Sequence, residues 1–73
     1  MEMNRMAMTI VLNGTPHETM GPLSLSALLE SLGLAGKPIV VELDEAAILP
    51  RDYAAVIVNA GARVEVVTLA AGG

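Results

Sequence analysis

The fold is decided by residues 8–33, which read MTIVLNGTPHETMGPLSLSALLESLG. Residues 8–12 are mostly β-branched and place every second side chain on one face, as a strand does. Asn13 and Gly14 follow directly. This dipeptide favours a type I′ turn, because that turn needs positive φ at both central residues. The stretch therefore predicts a β-hairpin whose second strand covers residues 15–20.

The apolar periodicity changes after the hairpin, from the two residues of a strand to the 3.6 residues of a helix. Ser24 is a suitable N-cap for that helix, and Gly33 is a suitable left-handed stop. The pattern predicts a helix over residues 24–32, which is too short to be stable alone and must pack against a sheet. Its apolar stripe consists of four leucines: Leu25, Leu28, Leu29 and Leu32.

Three further strands are predicted at residues 39–43, 46–49 and 63–69. One helix can cover only one face of a sheet, so the chain is expected to form a two-layer α+β domain. The order of the strands within the sheet does not follow from the pattern. The side chains expected to face the helix are Met8, Ile10, Leu12, Val64 and Val66.

The composition excludes several classes of protein. The 73 residues hold one small domain, with 53% hydrophobic and only 1% aromatic residues. There is no cysteine, which removes disulfides, thiolate metal sites and cysteine nucleophiles. Four basic residues against eight acidic ones give a net charge of −4, and the basic residues are scattered, so nucleic-acid binding is not expected.

The chain is expected to divide into three parts and to reside in the cytoplasm. Residues 1–7 are interpreted as a flexible N-terminal extension, residues 8–69 as the folded domain and residues 70–73 as an extended tail. The longest apolar run, residues 53–58, is far shorter than the roughly 20 residues of a membrane-spanning helix. No membrane association is expected.

Five segments together resemble a known family: residues 8–14, the leucine-rich helix at residues 24–32, residues 48–53 with their Pro-Arg step, residues 61–67, and the final Gly72-Gly73. They are similar to the sulfur carriers of thiamine biosynthesis, the ThiS family. The similarity extends over residues 8–73. It implies the β-grasp (ubiquitin-like) fold, a mixed sheet of four to five strands packed on one main helix in ββαββ order.

The chain departs from the family pattern at a few turn and packing positions. Asp44 and Glu45 stand where the family often has Asn-Gly, and Ala62 follows Gly61 where Asp is common. Tyr53 occupies a position where the family usually has another aromatic, often Trp. These positions affect turns and packing more than chemistry.

The resemblance implies that the site is the C-terminal tail. The carboxylate of Gly73 would be adenylated by a ThiF-like enzyme that consumes ATP, converted to a thiocarboxylate by a sulfur donor system, and used by a ThiG-like thiazole synthase. Gly72, Ala71 and Ala70 would be recognised by the partners, because small side chains let a backbone enter a narrow cleft. The protein would then be a co-substrate and not an enzyme, with no catalytic residue, bound metal or resident cofactor.

A docking surface for these partners is expected at Leu49, Val67 and Leu69, beside the tail and on the face away from the helix. Burial of these side chains under a loop is an equally open alternative. His17 is interpreted as a solvated residue of an edge strand, and Arg51 as part of a turn.

Other interpretations of the whole chain stay open. It could be a carrier similar to the small subunit of molybdopterin synthase, although that family is richer in aromatics, or a ubiquitin-like binding module with an inert tail. The acidic turn could instead be a divalent-ion cluster, but three neighbouring carboxylates are more often solvated charge. Its members are Glu42, Asp44 and Glu45.

Overall fold

The computed structural model describes residues 7–69. In this range the chain forms seven strands, one α-helix and a short 3₁₀ helix. In chain order these are β1 (Met8–Leu12), β2 (Thr15–Thr19), β3 (Leu23–Ser24), α1 (Leu25–Ser31), β4 (Ile39–Leu43), β5 (Ala46–Ile48), the 3₁₀ helix (Pro50–Asp52), β6 (Ile57–Val58) and β7 (Arg63–Thr68).

The main sheet has five strands in the order β2-β1-β7-β4-β5. The last strand, β7, is central: it runs parallel to β1 and antiparallel to β4. All other pairs in this sheet are antiparallel. The expected α+β architecture, with a mixed sheet packed on one main helix, is therefore confirmed.

A second, two-stranded sheet was not predicted. It pairs Leu23 with Val58 and Ser24 with Ile57, and so joins the start of the helix to the segment before β7. Strands of two residues are too short to show a period, so the apolar pattern gave no sign of them.

Helix α1 is slightly shorter than predicted, because its two outermost predicted residues act as caps. The Ser24 hydroxyl accepts a hydrogen bond from the Ala27 N–H at 3.0 Å, and Leu32 is the C-cap. Gly33 follows with φ 74°, the left-handed conformation expected of a helix stop. No helix within residues 7–69 has the length and hydropathy needed to cross a membrane.

Three predicted strands also end one residue earlier in the structure. β7 stops at Thr68 and not at Leu69. β2 stops at Thr19 and leaves Met20 exposed, because the Thr19 hydroxyl bonds the Gly21 carbonyl at 3.0 Å as the chain turns away. β5 stops at Ile48, one residue before Leu49, where the 3₁₀ helix begins to form with Pro50 at its first position.

The core lies between the sheet and α1 and is entirely aliphatic. Of the side chains expected to face the helix, Ile10, Val64 and Val66 are buried, while Met8 and Leu12 are partly buried at its margin. Ala62 belongs to the core although the pattern did not indicate it. The buried set is Ile10, Leu25, Leu28, Leu29, Val41, Val58, Ala62, Val64 and Val66.

Asn13 connects the β1–β2 turn to the central strand. Its φ is 50° and that of Gly14 is 80°, as the predicted turn requires. Its side-chain Oδ1 accepts a hydrogen bond from the Val66 N–H at 2.7 Å, beyond the point where the pairing of β1 with β7 ends. One residue thus supplies both the turn conformation and an acceptor for a part-buried amide of β7.

We predict that Asn13→Gly destabilises the protein by about 1–3 kcal/mol, because the Val66 N–H loses its acceptor while the turn conformation stays accessible. Asn13→Ala should be less stable still, since alanine also resists positive φ. Urea unfolding followed by circular dichroism measures both. An Asn13→Ala variant as stable as the wild type would contradict this account of the turn.

Candidate functional site

The strand that leads to the tail is held on both sides. Five residue pairs join β7 to β4, from Leu43↔Val64 to Ile39↔Thr68, and two join it to β1. The Leu69 N–H then donates to the Pro38 carbonyl at 2.8 Å and continues the ladder by one residue. The predicted tail and adenylation residues lie outside the described residues: Ala70, Ala71, Gly72 and Gly73.

The sheet face opposite the helix carries apolar side chains on β4 and β7 and on the residues that directly follow β5 and β7. Val40 of β4 pairs directly with Val67 of β7. The β4–β5 register, in which Val41 pairs with Ile48, brings Leu49 opposite Val40. Leu69 follows Val67 by two residues and therefore continues the alternation on the same side.

These four side chains form an exposed apolar surface, here called the outer patch: Val40, Leu49, Val67 and Leu69. Their exposed fractions are 44%, 51%, 56% and 48%. The predicted docking residues Leu49, Val67 and Leu69 are therefore exposed on the face away from the helix and are not buried under a loop. That partners dock there remains a prediction.

Val40 is the member of this patch that the pattern did not single out. It lies in the run Ile39–Leu43, which is almost continuously apolar and so does not display its alternation. The buried Val41 sets the inner face of β4. Strict alternation from Val41 would have placed Val40 and Glu42 on the outer face.

Two carboxylates extend the outer patch along the same strands. Glu42 precedes the end of β4 by one residue and pairs directly with Glu65 of β7, and both are exposed. The apolar pair Val40↔Val67 lies two residues along each strand from this acidic pair, on the same face. The outer face is therefore apolar near the tail and acidic farther from it.

The acidic turn does not form a metal site in the described part of the chain. No group of three or more His, Asp or Glu side chains there could hold an ion. Asp44 has a structural role instead: its Oδ1 accepts a hydrogen bond from the Arg63 N–H at 2.9 Å. Asp44 and Glu45 both have positive φ, 50° and 72°, so they form the two-residue turn that Asn-Gly would otherwise form.

His17 and Arg51 occupy different surroundings. β2 is an edge strand as predicted, but His17 is half-buried and not fully solvated, because it pairs with the buried Ile10 and so faces the helix side. It lines a shallow groove with Met20 and Leu23. Arg51 lies exposed in the 3₁₀ helix, in agreement with its interpretation as a turn residue.

The mixed sheet with a parallel β1–β7 centre, covered on one face by a single helix, defines a β-grasp domain. Its uncovered face carries an apolar patch beside the strand that precedes the tail. A sequence profile of the ThiS family matches residues 10–73, which includes Gly72 and Gly73. The chain belongs to the ThiS family.

Solved structures agree with this assignment. A crystal structure of the thiamine biosynthesis protein ThiS from Geobacter metallireducens superimposes with a TM-score of 0.78 at 29% identity, covering 90% of this chain and 100% of that one. A solution NMR structure of a thiamine biosynthesis protein from the same organism gives a TM-score of 0.75 at 29% identity, with coverages of 90% and 88%.

A longer relative is also similar. A thiazole synthase from Magnetococcus marinus is 36% identical over 66 residues. The match covers 90% of this chain but only 20% of that protein, so the chain spans a fifth of its length.

Val66 is buried and its neighbour Val67 is exposed. The same substitution at these two positions therefore tests which face of β7 packs against the helix. We predict that Val66→Thr costs about 1–3 kcal/mol, because it buries a hydroxyl in an aliphatic core. Val67→Thr should stay within about 0.5 kcal/mol of the wild type, because its side chain is exposed and threonine is equally suited to a strand. Denaturant unfolding measures both; equal losses would contradict the assignment of the faces.

Proposed function

We propose that this protein is a sulfur carrier of thiazole biosynthesis and acts as a co-substrate, not as a catalyst. Sulfur would be carried on the main-chain carboxyl group of Gly73. The observation that carries the proposal is the match to the ThiS family, which continues through Gly72 and Gly73. Such a carrier needs no thiol of its own, which agrees with a sequence that contains no cysteine.

The proposed chemistry begins with activation. A carboxylate resists nucleophilic attack, because its negative charge is delocalised over both oxygens. Attack of the Gly73 carboxylate on the α-phosphate of ATP, in a ThiF-like enzyme, would form an acyl-adenylate and release pyrophosphate. A sulfide-level donor would then attack the acyl carbon and expel AMP, which leaves a thiocarboxylate.

Delivery would follow at a thiazole synthase, where the thiocarboxylate sulfur is the nucleophile. The similarity to the Magnetococcus marinus thiazole synthase supports this partner, because a segment similar to the carrier occurs within a protein of that name. The ThiF-like enzyme and the sulfur donor system are inferred from the resemblance to the ThiS family, and the chemistry of activation is consistent with them.

The described domain would fix the point from which the tail extends. β7 is fixed between β1 and β4, and Leu69 is bonded to Pro38, so the point where the tail leaves the sheet is defined. Four residues reach at most about 13–14 Å from that point. The activating site of a partner must therefore lie close to the surface that contacts the domain, and the outer patch is the exposed apolar surface beside it.

We predict that incubation with ATP, a ThiF-like adenylating enzyme and a sulfide source replaces one oxygen of the chain by sulfur. Intact mass spectrometry should show the oxygen-to-sulfur increment, and fragmentation should confine it to the C-terminal peptide. A chain without Gly73 is the control. An absent increment with partners that charge another carrier, or equal charging of the truncated chain, would refute the proposal. Rescue of a thiamine auxotroph would then separate thiazole synthesis from molybdopterin synthesis.

A second prediction concerns docking. Val67→Thr should raise the KM for this charging reaction about threefold to tenfold, because it places a hydroxyl in the apolar contact. Ile57→Thr is the matched control: Ile57 is also a half-exposed β-branched strand residue, but it lies in β6, outside the main sheet. Its KM should equal that of the wild type. If the two substitutions changed the KM equally, the outer patch would not be the docking surface.

A further inference from the structure

The pairing of Glu42 with Glu65 is unfavourable in the free domain. Residues directly opposite on antiparallel strands have Cβ atoms about 4.5–5.5 Å apart, and like charges there are destabilising. Both side chains are exposed on the outer face. A pair of glutamines would serve the sheet better, so the two charges call for another explanation.

The described part of the chain does not compensate these charges through hydrogen bonds. Its side-chain hydrogen bonds involve Asn13, Thr19, Ser24, Ser31 and Asp44, and neither glutamate. Arg63 shares strand β7 and the outer face with Glu65, but the contact it makes with an acidic residue goes through its backbone N–H. The two carboxylates therefore remain open to a group outside the domain.

The position of this acidic pair specifies what that group would be. Two residues along a strand cover about 6.4–6.8 Å, so the pair borders directly on Val40 and Val67. A side chain that crosses this border needs an apolar stem and a cationic end. Arginine meets both needs: its stem packs on apolar surface, and its planar fork donates to two carboxylate groups at once.

We propose that the outer face docks a protein surface that places an arginine between Glu42 and Glu65 and apolar side chains against Val40 and Val67. This deepens the proposed function and rests on it, because it assigns the chemistry of the partner at the same face. A second copy of this chain is a poor occupant. Its outer face carries the same carboxylates, and each chain has a net charge of −4.

The two charges should have opposite effects on the free domain and on the complex. Removing both charges should relieve repulsion in the free domain and remove attraction in the complex. Stability and binding should therefore change in opposite directions. If no partner group binds between the two glutamates, removing their charges would change the stability of the domain and leave partner binding unchanged.

The test compares the double variant Glu42→Gln/Glu65→Gln with Glu18→Gln/Glu30→Gln. The control removes the same number of charges from the far edge strand β2 and from the helix. The probe is the ThiF-like adenylating enzyme, with affinity measured by calorimetry at several salt concentrations. We expect the first variant to bind about tenfold more weakly than the control, with a smaller dependence on salt, and to unfold at a urea concentration equal to or above that of the wild type.

Equal affinities of the two double variants would overturn the inference. A failure of the proposed function would be seen separately, because the wild-type chain would then not be charged with sulfur. A wild-type chain that is charged, bound by the enzyme and insensitive to Glu42→Gln/Glu65→Gln overturns the arginine proposal alone. A wild-type chain that the enzyme neither binds nor charges overturns both.

Discussion

The insertion of β7 between β1 and β4 is the constraint on which the rest of the structure depends. β1 and β4 belong to the two halves of the chain on either side of the helix, and only β7 joins them into one sheet. The same insertion brings Val64 and Val66 under the helix, where they complete the aliphatic core. A strand at the centre of a sheet is the least able to fray. The tail therefore follows the most firmly held element of the fold.

The register of β7 decides both faces at once, because a slip of one residue would exchange its inner and outer side chains. Val66 would then leave the core, and Val67 would leave the outer patch. Two turn residues oppose such a slip by bonding amides of β7 directly. Asn13 accepts from the Val66 N–H and Asp44 accepts from the Arg63 N–H, one from each side of the strand. Core and proposed docking surface are thus fixed by the same contacts.

The sequence was sufficient for features that depend on local physics. The Asn13-Gly14 turn requires positive φ, and the leucine stripe with Ser24 before it requires a capped helix, so both could be predicted from their own residues. Leu49, Val67 and Leu69 could be placed on the outer face by alternation. The central position of β7 was not predicted, because strand order depends on contacts between distant residues and not on local patterns.

The acidic pair shows more clearly what sequence patterns cannot predict. Glu42 and Glu65 are 23 positions apart in the numbering, and nothing in either strand alone places one opposite the other. Only the antiparallel register reveals that they meet, and only their shared face places them beside Val40 and Val67. Sequence patterns identify the residues available to a surface, while register determines which of them act together.

A small domain has little stability to spare, since its buried area is limited by its length. An uncovered apolar patch and a repelling pair of carboxylates on one sheet face are both unfavourable in isolation. In the proposed carrier, which would be recognised, charged and released by its partners, these two features would be useful. Covering the apolar patch and pairing the carboxylates with a cation would then stabilise the complex and not the free domain. The chemistry would use only the main-chain carboxyl group of the last residue. The side chains of the outer face would therefore take no part in the reaction and could determine partner specificity.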